Sequence, residues 1–498
     1  MAQDVLKDVN EPKLKISPFV SLIPIVALIA LMVIVVILFG NEALSGGSQI
    51  ALLLSTAICI CISLWHYNIP WKQLESGLKN TICDTSSTMI IVLLIGMMSA
   101  SWMVCGFVPT LIYYGVQIVS PVLFLFVTCI ICAAVSVMTG SSWTTIATIG
   151  VALLCIGSAI GIPVYWVAGS IISGAYFGDK VSPLSDTTIL TSAITDVNLF
   201  SHIKYMMKTT VPAIIISLLV FLIAGFMLTH GQDTNYNVDG YREALESKFN
   251  ISPFTIIVPV ITSLFIAKKI PTIITLFLSS LLASIVAIIF QPELLREIAG
   301  NDCDGWQQLA KGAIIMLATK TDLHTGSKVL DELVSTGGMF GMMKTVWLIL
   351  CSMCFGGAMV ASGMLNSLTN ALISVINGRR QFVGSTLLSG IVMNMITCDQ
   401  YISIILTANI FKDAYKDRGF ESRLLSRSSE DSATVTSVLI PWNTCGMTQS
   451  IILGVPTMVY LPFCVFNYVT PLISFIYAWF GWGITEPNKK ESLQVSES

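Results

Sequence analysis

SPFVSLIP, residues 17–24, returns as SPFTIIVP, residues 252–259, at an offset of 235. At the same offset Trp71-Lys72-Gln73-Leu74 with Gly77 returns as Trp306-Gln307-Gln308-Leu309 with Gly312. Further along the offset becomes 258: Thr139 matches Thr397, and Pro183 matches Pro441. The difference assigns 23 extra residues to the second copy, within 315–343. Two related halves, each interrupted by polar residues at matching depths, are the build of many secondary transporters.

Composition agrees. Of 498 residues, 54% are hydrophobic and 11% charged, against roughly 25% charged in soluble domains. The mean hydropathy is +0.80. Residues 85–178 contain no Asp, Glu, Lys or Arg, and neither do 432–485. Runs of that length lack the polar face that a soluble fold needs at helical spacing and read as several membrane spans joined by short loops. A net charge of −3 without a basic tract excludes nucleic acid as a partner. Cys129/Cys132 and Cys351/Cys354 have CxxC spacing but lie in apolar surroundings, where cysteine is a small core hydrophobe. The first apolar run is too long for a signal-peptide core, so no cleavage is expected.

Spans are predicted at 19–39, 48–66, 86–105, an interrupted segment 121–160, an interrupted span 163–196, and 211–229. The second half reads 253–267, 270–291, 344–363, an interrupted 381–411, an interrupted 423–455, and 457–480. If 121–160 and 381–411 are hairpins entering and leaving on one side, each half has five full crossings, and an odd number inverts the second copy. Lys72, Lys79, Lys204, Lys208, Lys268, Lys269, Arg379, Arg380, the run Lys412 to Arg427, and Lys489-Lys490 then share one side, the cytoplasmic one. The fold class expected is an all-α integral membrane protein of two inverted-topology repeats, each with five spans, a re-entrant hairpin and a broken helix. The repeats run 17–235 and 252–482, between cytoplasmic tails 1–16 and 483–498, and the protein sits in a prokaryotic cell membrane.

Polar residues inside a bilayer cost free energy, roughly 2.5–3.5 kcal/mol for an Asp or Lys on insertion scales, so they mark function. One cluster is Thr139-Gly140-Ser141-Ser142, continuing to Thr145. A second runs from Gly178-Asp179-Lys180 through Ser182-Pro183 to Ser185-Asp186-Thr187-Thr188. Their partners are Thr397-Cys398-Asp399-Gln400 and Pro441-Trp442-Asn443-Thr444, with Glu430-Asp431 upstream. Ser182-Pro183 and Ile440-Pro441 are predicted helix breaks, because proline removes a backbone donor. A break frees carbonyls and exposes a helix N-terminus, and with neighbouring Ser, Thr, Asn and Asp oxygens these form a shell for a small hard cation such as sodium.

Asp399 lies in an otherwise charge-free stretch and Asp186 on the broken span; these two are the expected sodium ligands. Asp179 has Lys180 beside it to neutralise its charge. Glu430 and Asp431 have a bland reading, solvating the inner end of their span near Arg423 and Arg427. Asp84, Asp196, His66 and His202 read as span ends. Competition of a proton and a sodium ion for one carboxylate is the simplest antiport mechanism.

TGSSWTTIATIG (139–150), GAYFGDKVSPLSDTT (174–188) and SSEDSATVTSVLIPWNTCG (428–446) resemble the NhaC family of sodium/proton antiporters, and the resemblance runs from about 17 to 482. It implies a rigid scaffold and a moving unit of hairpin plus broken helix, with Asp179, Asp186 and Asp431 among the ion-site residues. It also implies sodium/proton exchange or, alternatively, sodium- and proton-coupled exchange of organic acids of the malate/lactate type or of amino acids. Expected partners are sodium ions, protons, the bilayer, and as open options a small organic acid and a second copy in a homodimer. No cofactor is expected.

An intramembrane enzyme reads poorly. Tyr176-Phe177-Gly178-Asp179 lacks the glycine an aspartyl protease has at the position of Tyr176, and no histidine is placed in a span to serve a serine nucleophile. Paired broken helices suit alternating access better than a channel.

Overall fold

The computed structural model describes residues 16–39, 46–118, 120–229, 243, 245–268, 270–300, 304–321, 335–374 and 379–482. Residues 1–15 and 483–498 of the expected tails, most of the 230–252 loop and residues 322–334 of the expected insertion lie outside the described residues. Among the described residues the fold is helical, with one isolated bridge between Thr321 and Thr336. Eight helices are long and apolar enough to cross a membrane, or nine if Thr457–Phe463 and Val465–Phe480, bent by 56°, form one span.

Most expected spans stand close to where the sequence places them: Pro18–Phe39, Gly47–Trp65, Ser86–Val104, Thr272–Phe290 and Met343–Ala361. The span expected at 211–229 is a longer helix, Leu199–Thr229. Its first turns carry His202, Lys204 and Lys208 and therefore read as loop, yet His202, Tyr205, Met206 and Thr209 are buried against neighbouring helices. Shorter helices at Trp71–Asp84, Phe107–Ile118, Pro292–Ala299, Trp306–Ala318 and Met364–Ser374 escaped the hydropathy reading because they are short or amphipathic. On Trp71–Asp84, Leu74 is fully buried while Lys79 pairs with Glu75 on the exposed face.

All four expected interruptions are present. Phe124–Thr139 ends at Gly140, whose φ of +69° closes the helix in the left-handed conformation, and Ser142–Ala159 begins directly after it. Arg379–Thr397 and Gln400–Asp417 are parted in the same way by Cys398 at φ +58°. Val164–Val181 and Asp186–Ile194 are separated by an extended turn at Ser182–Ser185. The second broken span runs Ser422–Ser429, a π-turn at Glu430–Thr434, a short turn to Leu439, an extended Ile440, and then Thr444–Leu453.

Small residues let these elements approach. A Cβ on Gly174 would stand 2.2 Å from the Cys129 carbonyl oxygen, and one on Gly178 2.5 Å from that of Ala133. The Gly174–Gly178 spacing puts both on one face of Val164–Val181, as close helix packing in lipid demands. In the second half the contact recurs with the glycine on the other helix: a Cβ on Gly390 would meet the Ser432 Cβ at 2.8 Å. Cys129, Cys132 and Cys351 are buried in two apolar cores, both of which are flanked by Trp143.

Candidate functional site

The two helix turns share one hydrogen-bond pattern at an offset of 258. The hydroxyls of Thr139 and Thr145 lie 3.2 Å apart, and those of Thr397 and Ser403 2.8 Å apart. The Ser141 side chain accepts from the Thr144 N–H at 3.2 Å, and that of Asp399 from the Ile402 N–H at 3.1 Å. Thr145 donates to the Ser141 carbonyl at 2.9 Å, and Ser403 to that of Asp399 at 2.6 Å. Deeper in, Ser136 donates to the Ala175 carbonyl and Asn394 to that of Ala433, both at 2.6 Å. Asp399 therefore occupies the N-cap that Ser141 fills in the first half, where an acidic side chain satisfies orphan N–H groups and the dipole of the new helix.

Each turn meets the break of its own half at a buried carboxylate. Asp179, from the first broken helix, accepts from the Ser142 N–H at 3.1 Å and from the Ser142 hydroxyl at 2.6 Å. Its other oxygen accepts from Ser185 at 2.6 Å, and the Ser185 and Thr187 hydroxyls are 3.0 Å apart. Ser182 ties the break to the turn through the Val137 carbonyl at 2.8 Å, and Gly140 lies against the Leu184 backbone. In the second half Asp399 comes from the turn and reaches the break: Thr444 donates to it at 3.2 Å, and the Thr444 N–H donates to the Cys398 carbonyl at 2.8 Å. Asn443 caps the following helix through the Cys445 N–H at 3.0 Å and donates to the Asn394 carbonyl at 3.1 Å. Gln400 accepts from the Cys445 thiol. Among the described residues no Lys or Arg pairs with Asp179 or Asp399.

The structure thus brings together Thr139, Gly140, Ser141, Ser142, Asp179, Ser182, Ser185 and Thr187 at one junction, and Thr397, Asp399, Gln400, Asn443 and Thr444 at the other. Asp186 stands apart, exposed at the first position of its helix. Tyr401, which the sequence reading missed, directly follows Gln400 in the helix Gln400–Asp417, and a tyrosine at that position gave no signal.

Asp431 belongs elsewhere. It and Glu430 are fully buried, not solvated at a span end. Lys180 pairs with Asp431 rather than with Asp179, because successive helical residues point about 100° apart and do not face each other. Thr209 donates to both Asp431 oxygens, at 2.9 and 3.2 Å, and the Arg427 Nε lies 3.8 Å from Asp431. Glu430 accepts from Thr191 at 2.8 Å. His202, expected at a solvated span end, is fully buried, with Nδ1 2.8 Å from the Ser426 hydroxyl. Asp84 and Asp196 are exposed as expected.

Comparison with known proteins covers nearly the same residues as the motifs. The profile of the Na+/H+ antiporter family matches residues 9–190 and 174–482. The chain is 32% identical over 428 residues to the Na+/H+ antiporter NhaC of Bacillus subtilis (86% of this chain, 91% of the relative). It is 34% identical over 429 residues to the Na+/H+ antiporter NhaC of Alkalihalophilus pseudofirmus (86% and 88%). It is 33% identical over 433 residues to the malate-2H+/Na+-lactate antiporter of Bacillus subtilis (87% and 89%).

Proposed function

The chain belongs to the Na+/H+ antiporter family, and from that premise we propose that it exchanges sodium for protons across the cell membrane by alternating access. The observation that carries this reading is the pair of buried carboxylates, Asp179 and Asp399. Each is held by hydroxyls and N–H groups where a helix turn meets a helix break, and among the described residues neither has a basic partner. A hydroxyl that donates to an empty carboxylate can rotate and present its lone pairs to a cation. Sodium entering the first junction meets the Asp179 carboxylate with the oxygens of Ser142, Ser185 and Thr187. At the second it meets Asp399 with those of Thr397 and Thr444. A proton on the same carboxylate removes the charge that holds the cation, which couples the two ions in opposite directions. Asp186, exposed on the first break, collects cations for the site.

The repeated hydrogen bonds at offset 258 support two copies of one unit; the proposed arrangement, resting on the charge pattern of the loops, inverts one copy relative to the other, with both termini cytoplasmic and a re-entrant hairpin beside each broken helix. The sodium site lies between those units.

A second reading, sodium- and proton-coupled exchange of small organic acids, draws support from the malate-2H+/Na+-lactate relative. One experiment separates the two. Purified protein in proteoliposomes with an internal pH dye receives external sodium, alone and then with malate or lactate. Sodium-driven proton efflux without organic acid establishes the first reading; a signal only with organic acid establishes the second. No signal under either condition overturns both.

A further inference from the structure

Leu199–Thr229 has 31 residues, where a helix of about 20 crosses the roughly 30 Å of bilayer hydrocarbon. Its exposed side carries a continuous stripe of Lys204 and Lys208, then Ile215, Leu219, Ile223 and Phe226. At about 100° per residue these six fall within about 100° of arc, one face of the helix. Lys208 and Phe226 are about 27 Å apart along the axis, close to the hydrocarbon thickness. With Phe226 at one boundary of the hydrocarbon, Lys208 stands at the other, and Lys204 lies about 6 Å further out, at the depth of the headgroups. The lipid-facing stripe therefore ends in two lysines.

The charges at this end lack a protein counter-ion. Among the described residues neither lysine is ion-paired, and like charges four apart on a helix repel. The Lys208 ammonium is held in place, 4.6 Å from the centre of the buried Tyr205 ring. The Arg423 guanidinium, from the neighbouring Ser422–Ser429, lies 5.6 Å from the same ring but pairs with Glu421 at 2.9 Å. The uncompensated positive charge of this face thus rests on Lys204 and Lys208. We propose that the two lysines bind the headgroup of an anionic phospholipid, whose phosphate sits between the ammonium groups and whose acyl chains lie along Ile215 and Leu219. The phosphate relieves the repulsion of the lysine pair, and the exposed apolar stripe takes the chains. The proposal goes beyond sodium/proton exchange and stands or falls independently of it, because its readout is equilibrium binding without transport.

Purified full-length protein in detergent micelles is titrated with phosphatidylglycerol, with phosphatidylcholine of the same acyl chains and inorganic phosphate as controls, and its melting temperature is followed. The expected result is a saturable rise with phosphatidylglycerol that is absent with phosphate, much smaller with phosphatidylcholine, and weakened by added salt. Lys204→Gln and Lys208→Gln should each weaken phosphatidylglycerol binding about 5-fold, and the double variant about 30-fold. Both side chains are exposed, so these variants should fold, and Lys204→Arg/Lys208→Arg should bind like wild type. Lys79→Gln removes a lysine that is exposed on another helix and paired with Glu75; it should leave binding unchanged. An equal rise with phosphatidylcholine overturns the proposal, and a rise with phosphate alone replaces the lipid by a free anion. Unchanged binding in the double Gln variant, or an equal loss in Lys79→Gln, also overturns it.

Discussion

Ser142 donates twice to the same oxygen of Asp179, through its N–H at 3.1 Å and its hydroxyl at 2.6 Å. One contact belongs to the backbone at a helix start, and the other can rotate away to a cation. Ser142→Ala keeps the first and deletes the second, so the helix start is retained and a sodium ligand is lost. We expect the sodium concentration for half-maximal exchange to rise about tenfold, the worth of one interaction with a charged group. Asp179→Asn should abolish exchange. Sodium-dependent fluorescence in dye-loaded proteoliposomes measures both, and wild-type behaviour of Asp179→Asn would remove Asp179 from the site.

Asp399 serves two purposes that one substitution separates. As N-cap it accepts from the Ile402 N–H, and as a carboxylate it receives Thr444. Asparagine is as good a cap as aspartate, so Asp399→Asn should melt within about 1 kcal/mol of wild type while losing sodium/proton exchange. A variant that melts normally and still exchanges would assign Asp399 to capping alone.

Gly140 is confined twice over. Its φ is +69°, and an added Cβ would lie 2.7 Å from the Leu184 carbonyl carbon. The left-handed conformation alone costs about 1–2 kcal/mol in a residue with a side chain, and the backbone of the break must also move. Gly140→Ala should therefore lower the melting temperature and slow exchange together. The matched Cys398 already bears a side chain at φ +58°, so Cys398→Ala should melt near wild type. Equal destabilisation of the two variants would show that the approach to Leu184 has no consequence.

These cases show what the sequence made readable. The turns and breaks carry local tokens: Thr139-Gly140, Thr397, Pro183 and Pro441 fix backbone conformation within a few residues, and the repeat offset doubles each signal. The junction residues followed from the same tokens. Partnership between distant charges left no such trace. Lys180 stands beside Asp179 in sequence, but its ion pair is with Asp431, and only packing of the two broken helices decides that. The start of Leu199–Thr229 was hidden because His202, Lys204 and Lys208 have the composition of a loop, although one helical face of them is buried. Cys398 in the left-handed region was hidden because no glycine marks it.

Outside the membrane spans, Asp196 receives Lys412 at 2.6 Å, and the hydrogen bond and charge of that ammonium hold its carboxyl below the ordinary aspartate value. Lys412 also donates to the Ile194 carbonyl at 2.8 Å, at the end of the first broken helix. A carboxyl with a lowered folded-state pKa contributes stability above its unfolded pKa, and the contribution fades as pH falls through the folded value. Asp196→Asn should therefore melt slightly below wild type at neutral pH and coincide with it in strong acid. The neutral-pH difference should shrink with added salt, because the pair is exposed. A gap that widens toward acid would contradict the sign of this pairing.

Asp431 is the one site residue expected from sequence that the structure ties into an ion-paired cluster, so its loss should be read first in stability. Asp431→Asn leaves Lys180 and Arg427 buried without the carboxylate they share; removing one partner of a buried pair typically costs about 3–5 kcal/mol. Removing both partners with apolar residues, as in Lys180→Met/Asp431→Leu, takes out one buried charge of each sign and should restore much of that loss. Thermal unfolding in detergent of Lys180→Met, Asp431→Leu and the double variant gives the coupling directly. A double variant no more stable than Asp431→Asn would show that Asp431 acts through Arg427 and Thr209 rather than through Lys180. A single Asp431→Asn variant that melts like wild type but fails to exchange would return Asp431 to the ion site.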